Sequence, residues 1–140
     1  MLINTQFLAD TTIAEAAKEE WDLIVLPGGV PGANYLRDCE TLIKILKKQK
    51  DQNKQYAAIC AAPAVVLSTH GLAEDAATCY PAPGFISAMK SHSDDDVVVS
   101  GNLVTSKGPG TALKFALQLG ENLYGKERAD NIAGEMLVQR

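Results

Sequence analysis

The residue of this sequence best placed to do chemistry is Cys60, in the stretch AAICAAPAVVL at positions 57–67. An apolar run meets a proline there, and Ala57, Ala58, Ala61 and Ala62 leave no bulk beside the cysteine. A sharp strand-to-helix turn lifts one side chain above a sheet, and only small neighbours fit so tight a bend. The stretch follows the logic of the nucleophile elbow, usually G-x-S-x-G, with cysteine for serine and alanine for glycine. Amide N–H groups at the start of a helix favour a thiolate. A partly exposed thiolate is a nucleophile, and it is also the first residue an oxidant attacks. The competing reading is a small buried hydrophobe, the usual state of a free cysteine.

A second candidate strand end lies at Pro27-Gly28-Gly29. Glycine permits close backbone approach, so the N–H groups of Gly28 and Gly29 are candidates to hold an oxyanion in the same crevice. The other titratable residues read as structural. Cys39 and Cys79 fit small buried positions. His70, just before Gly71, suits a helix end. His92, in SHSDDD, reads as a solvated loop residue, with a general acid/base role as the alternative. Asp94, Asp95 and Asp96 lack the glycine-anchored spacing of a calcium loop and read as solvated. No Cys/His spacing suggests zinc, and no metal or cofactor is expected.

The elements that must position these residues alternate in kind. IAEAAKEEW has helical spacing. DLIVLPGG is a continuous apolar run of strand length, as in a sheet covered on both faces. CETLIKILKKQKDQNK is amphipathic. YAAIC is a second short strand, and APAVVLSTHGL a helix closed by Gly71. Residues 76–93 read as loop with short elements. DVVVSGNLVTSKG reads as a hairpin turning at Ser100-Gly101-Asn102. PGTALKFALQLGENLYG is a helix with Pro109 near its start, and KERADNIAGEMLV one more. This alternation predicts an α/β domain with a mainly parallel sheet, whose ligand sites lie at the carboxyl ends of the strands.

Bulk properties exclude other classes. The 140 residues are 46% hydrophobic and 21% charged, an ordinary globular composition for one domain. With a net charge of −4 and no basic cluster beyond KILKKQK, nucleic acid is not the expected partner. No apolar run reaches the roughly 20 residues a membrane span needs. The first ten residues lack the features of a signal peptide. An odd number of widely spaced cysteines suits a reducing, cytoplasmic setting.

Taken in order and spacing, DLIVLPGG, AAICAAPAVVL and LVTSKGPGTALKFAL resemble the DJ-1/ThiJ/PfpI superfamily, nearest its DJ-1/YajL branch, across essentially the whole chain. The resemblance implies a flavodoxin-like three-layer α/β sandwich and a homodimer. It makes Cys60 the reactive cysteine, the backbone of Gly29 and Ala61 an oxyanion-type site, and the Gly108–Thr111 segment, with Pro109, a wall of the pocket. It implies roles in oxidative and carbonyl stress: glyoxalase or deglycase action on methylglyoxal, glyoxal and their adducts, or redox-dependent chaperone activity.

One departure matters. Family members open with a strand and helix carrying a glutamate that hydrogen-bonds the cysteine, whereas Met1 falls where a typical member is about fifty residues along. Glu15, Glu19 and Glu20 belong to a later helix and are no substitute. The first strand of such a sheet is central, so residues 1–140 are expected to form a domain lacking its first β-α unit. That unit would come from another chain or an omitted part of the gene product, unless the sheet reorders or exchanges strands.

Three functions follow as expectations: a Cys60-dependent enzyme acting on 2-oxoaldehydes, a redox sensor or chaperone with oxidisable Cys60, and an inactive truncated member. A class I amidotransferase also uses an elbow cysteine, but the second half of the sequence has no H-x-E.

Overall fold

The computed structural model describes residues 6–140. Four strands form one sheet in the order β1-β2-β4-β3: β1 (Leu23–Leu26), β2 (Gln55–Ile59), β3 (Val97–Ser100) and β4 (Leu103–Ser106). β1, β2 and β4 run parallel, and β3 returns antiparallel to β4. β2 is covered on both sides and reads accordingly, with Tyr56, Ala57 and Ala58 all buried. The expected hairpin forms, turning at Gly101, whose φ of 58° suits a residue without a Cβ.

Helices pack on both faces. On one, α2 (Val30–Arg37) and α3 (Glu40–Asp51) join the segment after Cys60 in the larger core cluster, around Leu46, Val66, Leu67 and Leu72. On the other, α5 (Ala112–Tyr124) lays Phe115 and Leu119 on Ala57 and Val104 of the sheet. α6 (Lys126–Glu135) packs against α5. The molecule is therefore an α/β sandwich with a mainly parallel sheet.

Among the described residues β1 pairs with β2 alone, which leaves it at the sheet edge with Val25 43% exposed. No described helix is long and apolar enough to cross a membrane.

Three segments differ from the sequence reading. The helix expected over IAEAAKEEW is only α1 (Ile13–Ala16), capped by the Thr12 side chain. It stops early because the chain folds back, and the Trp21 indole donates to Ala16 O at 2.9 Å. α2 was hidden by Pro31 and Gly32, yet proline in the first turn gives up no helical hydrogen bond. The helix expected after Cys60 is a π-helical turn (Pro63–Leu67) running into a 3-10 turn (Ser68–His70). Gly71, at φ 67°, ends it as expected, and Leu72 N–H reaches back to Leu67 O at 2.8 Å. Single π turns of this kind concentrate at functional sites. A short helix, α4 (Pro83–Ile86), lies within the expected loop.

Candidate functional site

β2 ends at Ile59, and Cys60 follows it with φ 66°. A side chain in this left-handed region costs about 1–2 kcal/mol, so the surroundings must impose the conformation. They do so through both backbone groups. Cys60 N–H donates to Ser106 O at 3.0 Å, and its carbonyl accepts from Tyr80 N–H at 2.8 Å. Cys60 is thus clamped between the end of β4 and the strip at 77–80, and its side chain is partly exposed.

Five of the residues singled out in the sequence line one cavity of about 270 Å³: Gly28, Gly29, Cys60, Gly108 and Pro109, with Ile59 and Ala112 completing it. Gly28 sits against the cysteine with no space for a side chain between them. Ala61 is buried and does not line the cavity; it offers only its backbone, immediately after Cys60. Among the described residues, no backbone carbonyl accepts from the N–H of Gly29 or of Ala61. The amides of Gly29, which lines the cavity, and of Ala61, next in sequence to Cys60, therefore have no backbone partner and remain available as donors.

The far wall is held by hydroxyls. Ser106 Oγ donates to Asp96 O at 2.9 Å and lies 2.6 Å from Thr111 Oγ1. Gly108 N–H donates to the same Thr111 hydroxyl at 3.1 Å. These bonds fix the turn Pro109–Thr111, from which α5 starts.

Tyr80 is the residue of this site that the sequence reading missed. Its N–H holds Cys60, and its ring is the nearest neighbour of Gly108, 3.5 Å from where a Cβ there would stand. The available signal was Pro81, which biases the preceding residue toward extended backbone. Next to it, Cys79 is fully buried, and its thiol is pushed up to about 11, first by burial and then by the charge of Cys60.

The histidines stand elsewhere. His70 Nε2 lies 2.8 Å from Arg37 O, so it serves the end of α2. His92 is not the solvated residue the sequence suggested. Its side chain is 15% exposed, because Ala77 and His92 pair as an isolated bridge that draws the loop inward. Its Nε2 is buried without a partner, its Nδ1 is 3.9 Å from Asp94, and it does not line the Cys60 cavity. Asp96 instead binds Lys114 at 2.7 Å, and that contact holds its carboxyl below the usual range. No described group of three His, Cys, Asp or Glu residues has metal-ligand geometry. No described carboxylate hydrogen-bonds the Cys60 sulfur.

The comparisons agree with this architecture. The sequence profile of the DJ-1/PfpI family matches residues 1–122. The chain belongs to the DJ-1/PfpI family. It is 46% identical over 136 residues to the Arabidopsis thaliana protein DJ-1 homolog B, covering 96% of this chain and 31% of that protein. It is 34% identical over 131 residues to a Caenorhabditis elegans protein named a glutathione-independent glyoxalase, covering 92% of this chain and 69% of that one. The solved structure of oxidized Toxoplasma gondii DJ-1 superposes with a TM-score of 0.88 at 44% identity, over 94% of this chain and 72% of that one. This is the flavodoxin-like fold of the DJ-1/PfpI family. The chain spans about a third of the length of the Arabidopsis relatives it matches.

Proposed function

We propose that this DJ-1/PfpI chain is a cysteine-dependent protein of carbonyl and oxidative stress, with Cys60 adding to small 2-oxoaldehydes such as methylglyoxal or glyoxal and to their adducts. The observation that carries the reading is the left-handed backbone of Cys60 at a pocket where the amides of Gly29 and Ala61 remain available as donors. The naming of the worm relative as a glutathione-independent glyoxalase supports the same class of substrate.

In this reading Cys60 Sγ forms a bond to the aldehyde carbon, and the carbonyl electrons move onto oxygen. The resulting oxyanion sits against the Gly29 and Ala61 amides. The proton on the former aldehyde carbon moves to the neighbouring carbonyl carbon, leaving a thioester of a 2-hydroxy acid. Water then cleaves the C–S bond, releases the hydroxy acid and restores the thiol. No external oxidant enters, since one carbon is oxidised as the other is reduced. The proton needs a carrier. We assign that part to a group outside the described contacts of Cys60. A homodimer is part of the same proposal.

The test is lactate formed from methylglyoxal by the purified chain, with Cys60→Ser alongside. Cys60-dependent turnover supports the reading, and its absence removes it. A second reading, a sensor acting through oxidation of Cys60, is favoured by the partial exposure of this thiol.

A further inference from the structure

Cys79 is far from Cys60 in sequence but adjacent in the fold. The Tyr80 N–H bond to Cys60 O, at 2.8 Å, and the Thr78 N–H bond to Thr105 Oγ1, at 2.9 Å, pin the backbone on either side of Cys79. Cys79 is covalently joined to the Tyr80 nitrogen, so a single hydrogen bond separates its backbone from that of Cys60; a disulfide needs proximity of this kind, with Cα atoms about 4.4–6.8 Å apart. The two thiols also share surroundings: Cys60 packs against the core cluster that contains Cys79. Their access differs. Cys60 opens on the cavity, whereas Cys79 is 0% exposed and lines no part of it.

We propose that Cys60 and Cys79 form a reversible redox pair, in which Cys60 is oxidised first and Cys79 resolves it as an intramolecular disulfide. The inference rests on Cys60 being the reactive thiol of the proposed function, and adds to it a partner and a means of control. The oxidant is a hydroperoxide. The Cys60 thiolate attacks one peroxide oxygen, the O–O bond breaks, and Cys60 becomes a sulfenic acid with hydroxide released. The Cys79 sulfur then attacks the Cys60 sulfur. An S–S bond forms, the S–O bond breaks, and the Cys79 proton leaves with the hydroxyl as water. Two thiols are oxidised for each peroxide reduced to water. Because Cys79 is screened from solvent, an oxidant meets it only through Cys60, which fixes the order of events. The disulfide removes the nucleophile reversibly and shields it from sulfinate formation.

The experiment is mass spectrometry of the reduced chain after graded hydrogen peroxide, with free thiols blocked before non-reducing digestion. The expected product has lost two hydrogens, yields a linked Cys60–Cys79 peptide, and returns to the reduced mass with dithiothreitol. In Cys79→Ser the same treatment should add two oxygens at Cys60. In Cys39→Ser the linked peptide should persist. A wild type that goes straight to two added oxygens at Cys60, with no linked peptide, overturns the pair but leaves Cys60 as the reactive thiol. A bridge from Cys60 to Cys39 also overturns it. If reduced Cys60 resists both peroxide and iodoacetamide, the reading of Cys60 fails together with the pair. Should Cys79→Ser not fold, the wild-type peptide map alone decides.

Discussion

Gly28 and Cys60 compete for the same space: a β-carbon on Gly28 would stand 2.4 Å from Cys60 Cβ and 3.0 Å from its Sγ. The carbonyl of Ile59 would be 3.1 Å away, so the chain on that side has nowhere to move. The end of β1 therefore sets where the cysteine sits. Gly28→Ala is expected to cost about 1–3 kcal/mol, the usual price of overpacking, and to displace Cys60 from its clamp. A thermal melt together with the rate of Cys60 alkylation checks both parts. A melt within error of wild type would mean that the contact is relieved cheaply.

The left-handed backbone of Cys60 predicts an unusual ranking of variants. At an ordinary strand or helix position, glycine is less stable than alanine by about 0.5–1 kcal/mol. At φ 66° the order should reverse, since a β-carbon there carries a penalty of about 1–2 kcal/mol. Cys60→Gly is expected to be at least as stable as Cys60→Ala in urea unfolding, while both lose the thiol. Alanine clearly above glycine would show that the bend is not strained.

Much of this site is legible in the sequence. The run AAIC followed by proline encodes the elbow, because only small residues fit such a bend, and PGG marks the neighbouring strand end. The long-range partners were not legible. Nothing local in the sequence says that Tyr80 N–H reaches Cys60, or that His92 is drawn inward through Ala77, because those contacts are set by how separate segments stack. The same holds for helix type. Periodicity identifies an apolar segment after Cys60, but the π turn depends on a proline at its start and on where Leu72 anchors its end. Pro31 and Gly32 hid α2 because both residues break helices in the interior and only one of them, at the first turn, is neutral.

Cys79 sets an alkaline limit. Burial pushes its thiol up to about 11 from 9.0. The fold therefore favours the neutral thiol. This contribution is complete below pH 9 and is lost as pH rises through about 11, where the buried thiolate must form. Tyr56 is also pushed up to about 12, by burial first and Asp75 second, while its hydroxyl donates to Leu72 O at 2.8 Å. The Tyr56 loss runs from 10.0 to about 12 and overlaps that of Cys79, so the two separate by difference: Cys79→Ala should lessen the fall in stability between pH 9 and 11 relative to wild type and leave the Tyr56 fall in place. At pH 8, iodoacetamide should leave Cys79 of the folded chain unmodified.

Thr105 tests the strip that carries Cys79 and Tyr80. Its Oγ1 accepts from Thr78 N–H at 2.9 Å, and both residues are fully buried. Thr105→Val keeps the shape but removes the acceptor and strands a buried N–H, at about 1–3 kcal/mol. Because this bond and the Tyr80 bond flank Cys79, the variant should also speed amide exchange at Tyr80 and alter Cys60 reactivity. Thr105→Ser retains the acceptor and should restore both. Exchange at Tyr80 that is unchanged in Thr105→Val would show the strip to be held by other contacts.

The two glycine walls of the cavity should respond oppositely to the same methyl group. At Gly28 a β-carbon collides with the backbone and side chain of Cys60, whereas at Gly108 it would meet only the Tyr80 ring, at 3.5 and 4.0 Å. Those are ordinary contact distances. Gly108 also has an extended backbone, φ 169°, which any residue adopts. Gly108→Ala should therefore fold with a stability change within about 0.5 kcal/mol, while narrowing the cavity on the Pro109 side. If small carbonyl compounds reach Cys60 through this cavity, the variant should discriminate by size. Glyoxal should modify Cys60 at close to the wild-type rate, and the bulkier phenylglyoxal more slowly, measured as loss of Cys60 labelling after brief exposure. Equal slowing for both would mean that the methyl group disturbs the cysteine itself, and no slowing for either would place the path to Cys60 away from Gly108.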